Sequence, residues 1–238
     1  MATYIASGDP VVAIPPELRP NVDHLVTEDD TPVDNVFSEK QQRLLTESLH
    51  TSWAGPGEGQ PFVAMANVGL FYGIRLPAVV PDVLLSLNVA LPPDVWPKSA
   101  RSYLTWEYSK APDVVIEVVS NHEGGEDSQK LALYAQIGVR YYVIFDPQRL
   151  LSGEMLRAYR LQVYSFERMA EPVWFPEVGL GLRLWDGLYE DLDATWLRWV
   201  DAQGVPIPTG KEGMNSARQR ADRLADQLRQ LGIEPHGA

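Results

Sequence analysis

The 238-residue chain has no cysteine. That excludes disulfides, thiolate metal sites and a cysteine nucleophile, and it suits a reducing compartment. Histidine is scarce: His24, His50, His122 and His236 are scattered, with no metal-ligand spacing. Basic residues are outnumbered, 20 Lys and Arg against 32 Asp and Glu, which leaves a net charge of −12. Non-specific nucleic-acid binding draws on Lys and Arg set against phosphates, so this balance counts against it without excluding a local basic groove. No apolar run is long enough to span a bilayer. The opening MATYIASGDP lacks the basic and apolar regions of a signal peptide. Gly124-Gly125 is no phosphate loop, because no G-K-[ST] follows. The expectation is a soluble cytoplasmic protein without a membrane partner.

What is present is a core. Apolar residues make up 45% of the chain, enough to bury a sizeable interior. Residues 1–34 read as an extended lead-in, rich in Pro, Asp and Val. SEKQQRLLTESLHTSW (Ser38 to Trp53) predicts a helix with Ser38 as N-cap and Leu44, Leu45 and Leu49 as its apolar stripe. Strand signals follow in FVAMANVGLFYG and VVPDVLLSLNV, then a Pro-rich loop, LPPDVWPKSARSY. PDVVIEVVS (Pro112 to Ser120) is apolar on both faces, as a central strand is. A helix ending at Gly138 and a second buried strand, RYYVIFDP, complete an αβ core. Beyond Leu156 the pattern changes to antiparallel strands carrying aromatics, among which Trp185, Trp196 and Trp199 are expected in the core or at an interface. The expected units are 1–34, a domain over 35–200, a linker over 201–213 and a helix with its tail over 214–238. That helix carries Ala221, Leu224, Leu228 and Leu231 on one side, a stripe narrow enough for a packing arm or a helix pair.

One residue does not belong in PDVVIEVVS. Side chains alternate along a strand, so Glu117 shares a face with Asp113, Val115 and Val119, inside the apolar run. An unpaired carboxylate there costs several kcal/mol or stays protonated, so it needs a cation, a donor or a wet cleft. A structural ion pair would suffice for a lone buried Glu. A second carboxylate changes the weighting: PDVLLSL repeats the opening of PDVVIEV 31 residues earlier and puts Asp82 at the mouth of another apolar strand. Two carboxylates from adjacent strands, with the backbone carbonyl of Val118, can converge on a hard cation such as magnesium. Lys130 opens the following helix, and helical side chains lean toward the N-terminus, so it can reach back over the strand end. A lysine there can orient a water, help to deprotonate it or stabilise charge on a phosphorane-like transition state. Its plainer role is a pair with Glu126 one turn earlier. Tyr134 is expected simply to pack on the sheet.

PDVLLSL, PDVVIEVVS and DSQKLALYAQIGVRYYVIFDP together resemble the Uma-type restriction endonucleases, of the PD-(D/E)XK nuclease superfamily. The resemblance covers roughly residues 35–190 and is strongest from Pro112 to Pro147. It implies a restriction-endonuclease-like fold of α/β (α+β) class: a mixed central sheet flanked by helices, with a β-rich extension and a C-terminal helix. It also implies Mg2+ or Mn2+ as cofactor, held by Asp82 and Glu117, with Lys130 assisting catalysis and DNA as substrate. The superfamily's short motif places its lysine two residues after the acid, where this chain has Val119; the Uma-type pattern moves it to the next helix, where Lys130 stands. Some members add a Glu from the first helix, and Glu39 and Glu47 are both available.

The expected function is a Mg2+-dependent endonuclease, dimerising through its last helix. The alternative is a binding or assembly module that keeps the fold without turnover. The acidic balance favours that alternative, because a nuclease would have to gather its cations locally from Lys98, Arg101, Lys110, Lys130 and Arg140.

Overall fold

A computed structural model describes Asn21 and residues 35–57, 59–120 and 125–231. The lead-in other than Asn21, together with His24, His122, Gly124 and His236, lies outside the described residues.

Among the described residues eleven strands and four α-helices run in the order α1 Val36–Ser52, β1 Phe62–Ala66, β2 Leu70–Phe71, β3 Val83–Leu87, β4 Tyr103–Leu104, α2 Thr105–Tyr108, β5 Val114–Val118, α3 Gln129–Ile137, β6 Tyr141–Phe145, β7 Leu156–Gln162, β8 Ser165–Arg168, β9 Val173–Phe175, β10 Leu180–Tyr189, β11 Leu192–Val200 and α4 Gly210–Gln230. The main sheet has the order β1-β3-β5-β6-β7-β8. It is mixed: β5 and β6 run parallel, bridged by α3, and the other neighbours pair antiparallel. Every residue of β3, β5 and β6 is buried, which is why these strands read as continuous apolar runs.

The two faces have different covers. On one, Leu45 and Leu49 of α1 meet Val83, Leu85, Ile116 and Phe145, together with Trp199 and Phe175 of the second sheet, β9-β10-β11. Gln41 ties α1 to that sheet by exchanging two hydrogen bonds of 2.9 Å with the backbone of Leu197. On the other face Tyr134 of α3 packs on Leu84, Val115, Tyr142 and Ile144. Gly138 ends α3 at φ 90°, a left-handed turn that a side chain would strain.

Two boundaries differ from expectation. The N-cap of α1 is Asn35, whose side chain accepts the Ser38 N–H at 2.9 Å, while Ser38 lies buried in the first turn. The helix starts early because Phe37 stacks on Trp196 at 4.9 Å and is drawn into the core. The stretch expected as a linker is packed: Ile207 is buried and bonds the Trp199 carbonyl at 2.9 Å, and α4 starts at Gly210. A capping box between Thr209 and Glu212 starts that helix. The buried Arg198 holds Glu212 with bonds of 2.8 and 2.6 Å and lies over the Trp185 ring. Beyond this anchor no residue of α4 is buried. Among the described residues no helix is long and apolar enough to cross a membrane.

Candidate active site

The strand registers carry one row of residues across the main sheet. Val83 faces Ile116, so one step further Asp82 faces Glu117. Glu117 is paired with Ile144, and Ile144 with Arg157. On the other flank Asn67 donates its backbone N–H to the Asp82 carbonyl at 3.2 Å. The two acids met 35 positions apart in sequence are thus neighbours across two strands.

Asp82 finishes the ladder with its side chain. Its Oδ2 accepts the Val118 backbone N–H at 2.6 Å, and its Oδ1 accepts the Gln42 amide at 2.9 Å. Gln42 in turn accepts the Asn67 amide at 3.1 Å. Glu117 is clamped from the helix side: Tyr134 Oη donates to Oε1 at 2.5 Å, and Lys130 Nζ donates to Oε2 at 2.9 Å. Lys130 also reaches Glu126 at 3.3 Å, so the plainer pairing expected for it coexists with the one to Glu117. The Lys130 side chain is 26% exposed against 2% for Glu117, so the lysine is the member of the pair that meets solvent.

The electrostatics follow from this packing. Burial pushes the Glu117 carboxyl up to about 8; the Lys130 charge opposes the rise, the Asp82 charge adds to it, and the hydrogen bonds from Tyr134 and Lys130 oppose it. Desolvation pulls the Lys130 ammonium down, but the charge and hydrogen bond of Glu117, joined by Glu126, outweigh it and hold its pKa above the ordinary lysine value. Lys130 is therefore a cation at neutral pH. The Tyr134 hydroxyl is pushed well above its usual value, first by burial and then by the Glu117 charge, so it acts as a donor.

These groups suit a hard divalent cation. Two carboxylates that crowd each other, one of them buried at the cost of its charge, form a site that a further cation would relieve. Among the described residues no group of three or more His, Cys, Asp or Glu is placed to hold an ion. Two carboxylates, a backbone oxygen, waters and substrate phosphate are what magnesium ordinarily takes, whereas zinc asks for nitrogen or sulfur.

A family model, Uma2, described as Putative restriction endonuclease, matches residues 28–185. The chain belongs to the Uma2 family. The fold agrees with a restriction-endonuclease-like architecture. Membership points to a nuclease. A search of curated proteins returned no match.

Within this Uma2 chain, Asp82, Glu117 and Lys130 lie together, and Val118 adjoins them through its bond to Asp82. The other Pro-Asp pair does something different: Asp113 accepts the Leu87 N–H at 2.8 Å and pairs with Lys110, at the opposite end of its strand. Neither first-helix glutamate points here in its bonding. Glu39 pairs with Arg43, and Glu47 accepts the Gly210 N–H at 2.7 Å, capping α4. The first helix reaches the site through Gln42 instead. Gln42, Tyr134 and Glu126 were not expected as site residues. Tyr134 lies one helical turn after Lys130, a spacing that could have flagged it.

Proposed function

We propose that this chain is an endonuclease that hydrolyses DNA phosphodiester bonds with Mg2+ or Mn2+ held by Asp82, Glu117 and the Val118 carbonyl. The observation that carries this reading is the meeting of Asp82, Glu117 and Lys130 at the solvent-open end of one buried strand pair. When bound, the cation supplies the acidity that makes water a nucleophile at neutral pH and positive charge for the phosphoryl oxygens. The chain's own residues do the rest. Val118 and Gln42 fix the Asp82 carboxylate, and Tyr134 fixes Glu117. The attacking water forms its O–P bond as the bond to the leaving sugar oxygen breaks, and the water's proton leaves to solvent beside Lys130. Being already protonated, Lys130 stabilises the extra negative charge on the phosphoryl group rather than serving as base.

The test is cleavage of plasmid and linear DNA in Mg2+ and in Mn2+, alongside the Asp82→Ala and Glu117→Gln variants. Cleavage that survives both substitutions is a contaminant, and no cleavage with either ion leaves the non-catalytic binding module as the better reading.

A pH effect follows. The raised Glu117 pKa means that its folded-state proton contributes stability fully below about 4.5, and that this contribution is lost as pH rises through about 8. A cation competes for the same oxygens, so its binding releases that proton. The increase in Tm on adding Mg2+ is expected to be small at pH 6 and to grow toward pH 8.5; a Mg2+ shift independent of pH across that window would contradict Glu117 as ligand.

We also propose that α4 pairs with a second copy. Met214, Ala217, Ala221, Leu224, Leu228 and Leu231 alternate at steps of three and four, the a/d seam of a two-stranded coiled coil. Met214, Leu224 and Leu231 are exposed at 70%, 60% and 74%. Replacing Leu224 and Leu228 together by lysine is expected to halve the mass in sedimentation equilibrium. Unchanged mass removes the pairing.

A further inference from the structure

Beside the candidate site lies a groove of about 510 Å³, lined by Met65, Val68, Leu91, Trp96 and Arg101 among others. Its walls are mostly apolar, and Trp96 leaves 77% of its surface in solvent. Such an exposed indole is unusual beside a cleft, and the backbone around it is held in place. Asp94 accepts the Trp96 N–H at 3.0 Å, and Arg101 Nε donates to the Trp96 carbonyl at 2.8 Å. The ring is therefore presented on a braced turn.

One wall of the groove, Met65, stands on the strand next to Asp82. Met65 faces Leu84 across the β1-β3 pair and packs in the cluster under α3. Asn67, two residues on, is the neighbour of Asp82. Met65 is thus the diagonal cross-strand neighbour of Asp82, a relation that spans ~7–8 Å in a regular ladder. Val68 follows Asn67, whose amide is bonded to the same Gln42 that holds Asp82. A nucleotide whose phosphate lies at Asp82 and Glu117 would have this groove within reach of its own or its neighbour's base.

We infer that the groove receives an unpaired nucleobase flanking the scissile phosphate, stacked on Trp96, so that the preferred substrate is single-stranded or locally unpaired DNA. The inference rests on the nuclease reading for the position of the phosphate. Its chemistry is that of stacking sites for single strands, where an aromatic face takes any base and cations track the backbone. In a paired duplex the base faces are covered by their neighbours, so an apolar slot with an indole wall has nothing to take until a base leaves the stack. Lys98 and Arg101 bring positive charge to the turn that carries Trp96, in a chain otherwise acidic. The groove's position beside the site favours a strand under cleavage over a protein partner.

The experiment measures binding of the full chain, in EDTA so that nothing is cut, to a fluorescent single-stranded DNA, the same sequence as a closed hairpin duplex, and the same sequence as single-stranded RNA. Trp96→Ala and Trp96→Phe are compared with the wild type. Because the indole is exposed, neither substitution removes core packing. The expected result is a loss of about tenfold or more in single-stranded DNA affinity for Trp96→Ala, most of it recovered in Trp96→Phe, with hairpin affinity unchanged. Equal binding of single strands by Trp96→Ala and wild type overturns the inference. So does a parallel loss on single strand and hairpin, a preference for RNA, or no binding of any DNA by the wild type. A change in oligomeric state on Trp96→Ala would assign the groove to a second copy and overturn it as well. Failure of the nuclease reading is seen separately: no cleavage in Mg2+ or Mn2+ with the Trp96 effect intact leaves a single-strand binding groove on an inactive fold.

Discussion

Replacing Glu117 with glutamine is expected to lower the rate of DNA cleavage by about 10³-fold or more, because several kcal/mol of charge stabilisation leave with the ion. The same substitution should abolish the Mg2+-dependent rise in Tm. It should not unfold the protein. Glutamine keeps the shape of the side chain, its carbonyl still accepts from Tyr134 or Lys130, and the cost of a buried charge disappears. The stability lost with the Lys130 pair is offset in part near pH 8, where the wild-type carboxyl loses its proton and carries a buried charge. The metal response, not the metal-free Tm, distinguishes the roles, because the substitution also removes the ion pair with Lys130. A Mg2+ shift that persists in Glu117→Gln would falsify the assignment of Glu117 as a ligand.

Replacing Lys130 with methionine is expected to act on a different quantity. Methionine keeps the unbranched stem against α3 and removes the charge. Cleavage should fall about 10²- to 10³-fold, the usual effect of removing one preorganised group from a developing negative charge. The Mg2+ shift in Tm should survive and move to higher pH. The ammonium opposes the rise of the Glu117 pKa, so without it the carboxyl holds its proton more tightly and yields to the metal only at higher pH. Glu126 would lose its partner as well, since Lys130 bridges both acids. The reading fails if Lys130→Met cleaves at the wild-type rate. It fails equally if the variant loses the metal response along with activity, because Lys130 would then be holding the site together rather than serving the reaction.

Much of this site was legible in one dimension, for local reasons. Glu117 stood out because a carboxylate in the middle of a fully apolar strand has few stable explanations. Lys130 stood out because a residue in the first turn of a helix leans back toward the strand that precedes it. Asp82 was visible only through its resemblance to Asp113, and the structure separates the two: one joins the site while the other closes a loop with Lys110. Gln42 was not legible. On an isolated helix a glutamine reads as solvent-facing, and only the approach of α1 to the start of β3 gives its amide a carboxylate to hold. Tyr134 was read as packing because its ring does pack; its hydroxyl has a function only because α3 sets it against Glu117. The family resemblance made Glu47 available as a site residue, yet the placement of α4 made it a cap.

By itself the sequence determined the order of the longer strands and helices but not β4 or α2, the burial of β5 and β6, and the identity of the carboxylates with a reason to be together. Those features depend on neighbours within a few residues: apolar runs, turn chemistry and helix periodicity. The tertiary structure alone decided which strand lies beside which, hence that Asp82 faces Glu117, that Gln42 rather than a glutamate of the first helix bonds Asp82, and that Trp96 and Met65 line one groove. Those are contacts between residues far apart in the chain, and the free energy that selects them comes from burying the two faces of the sheet together, which no single segment can express.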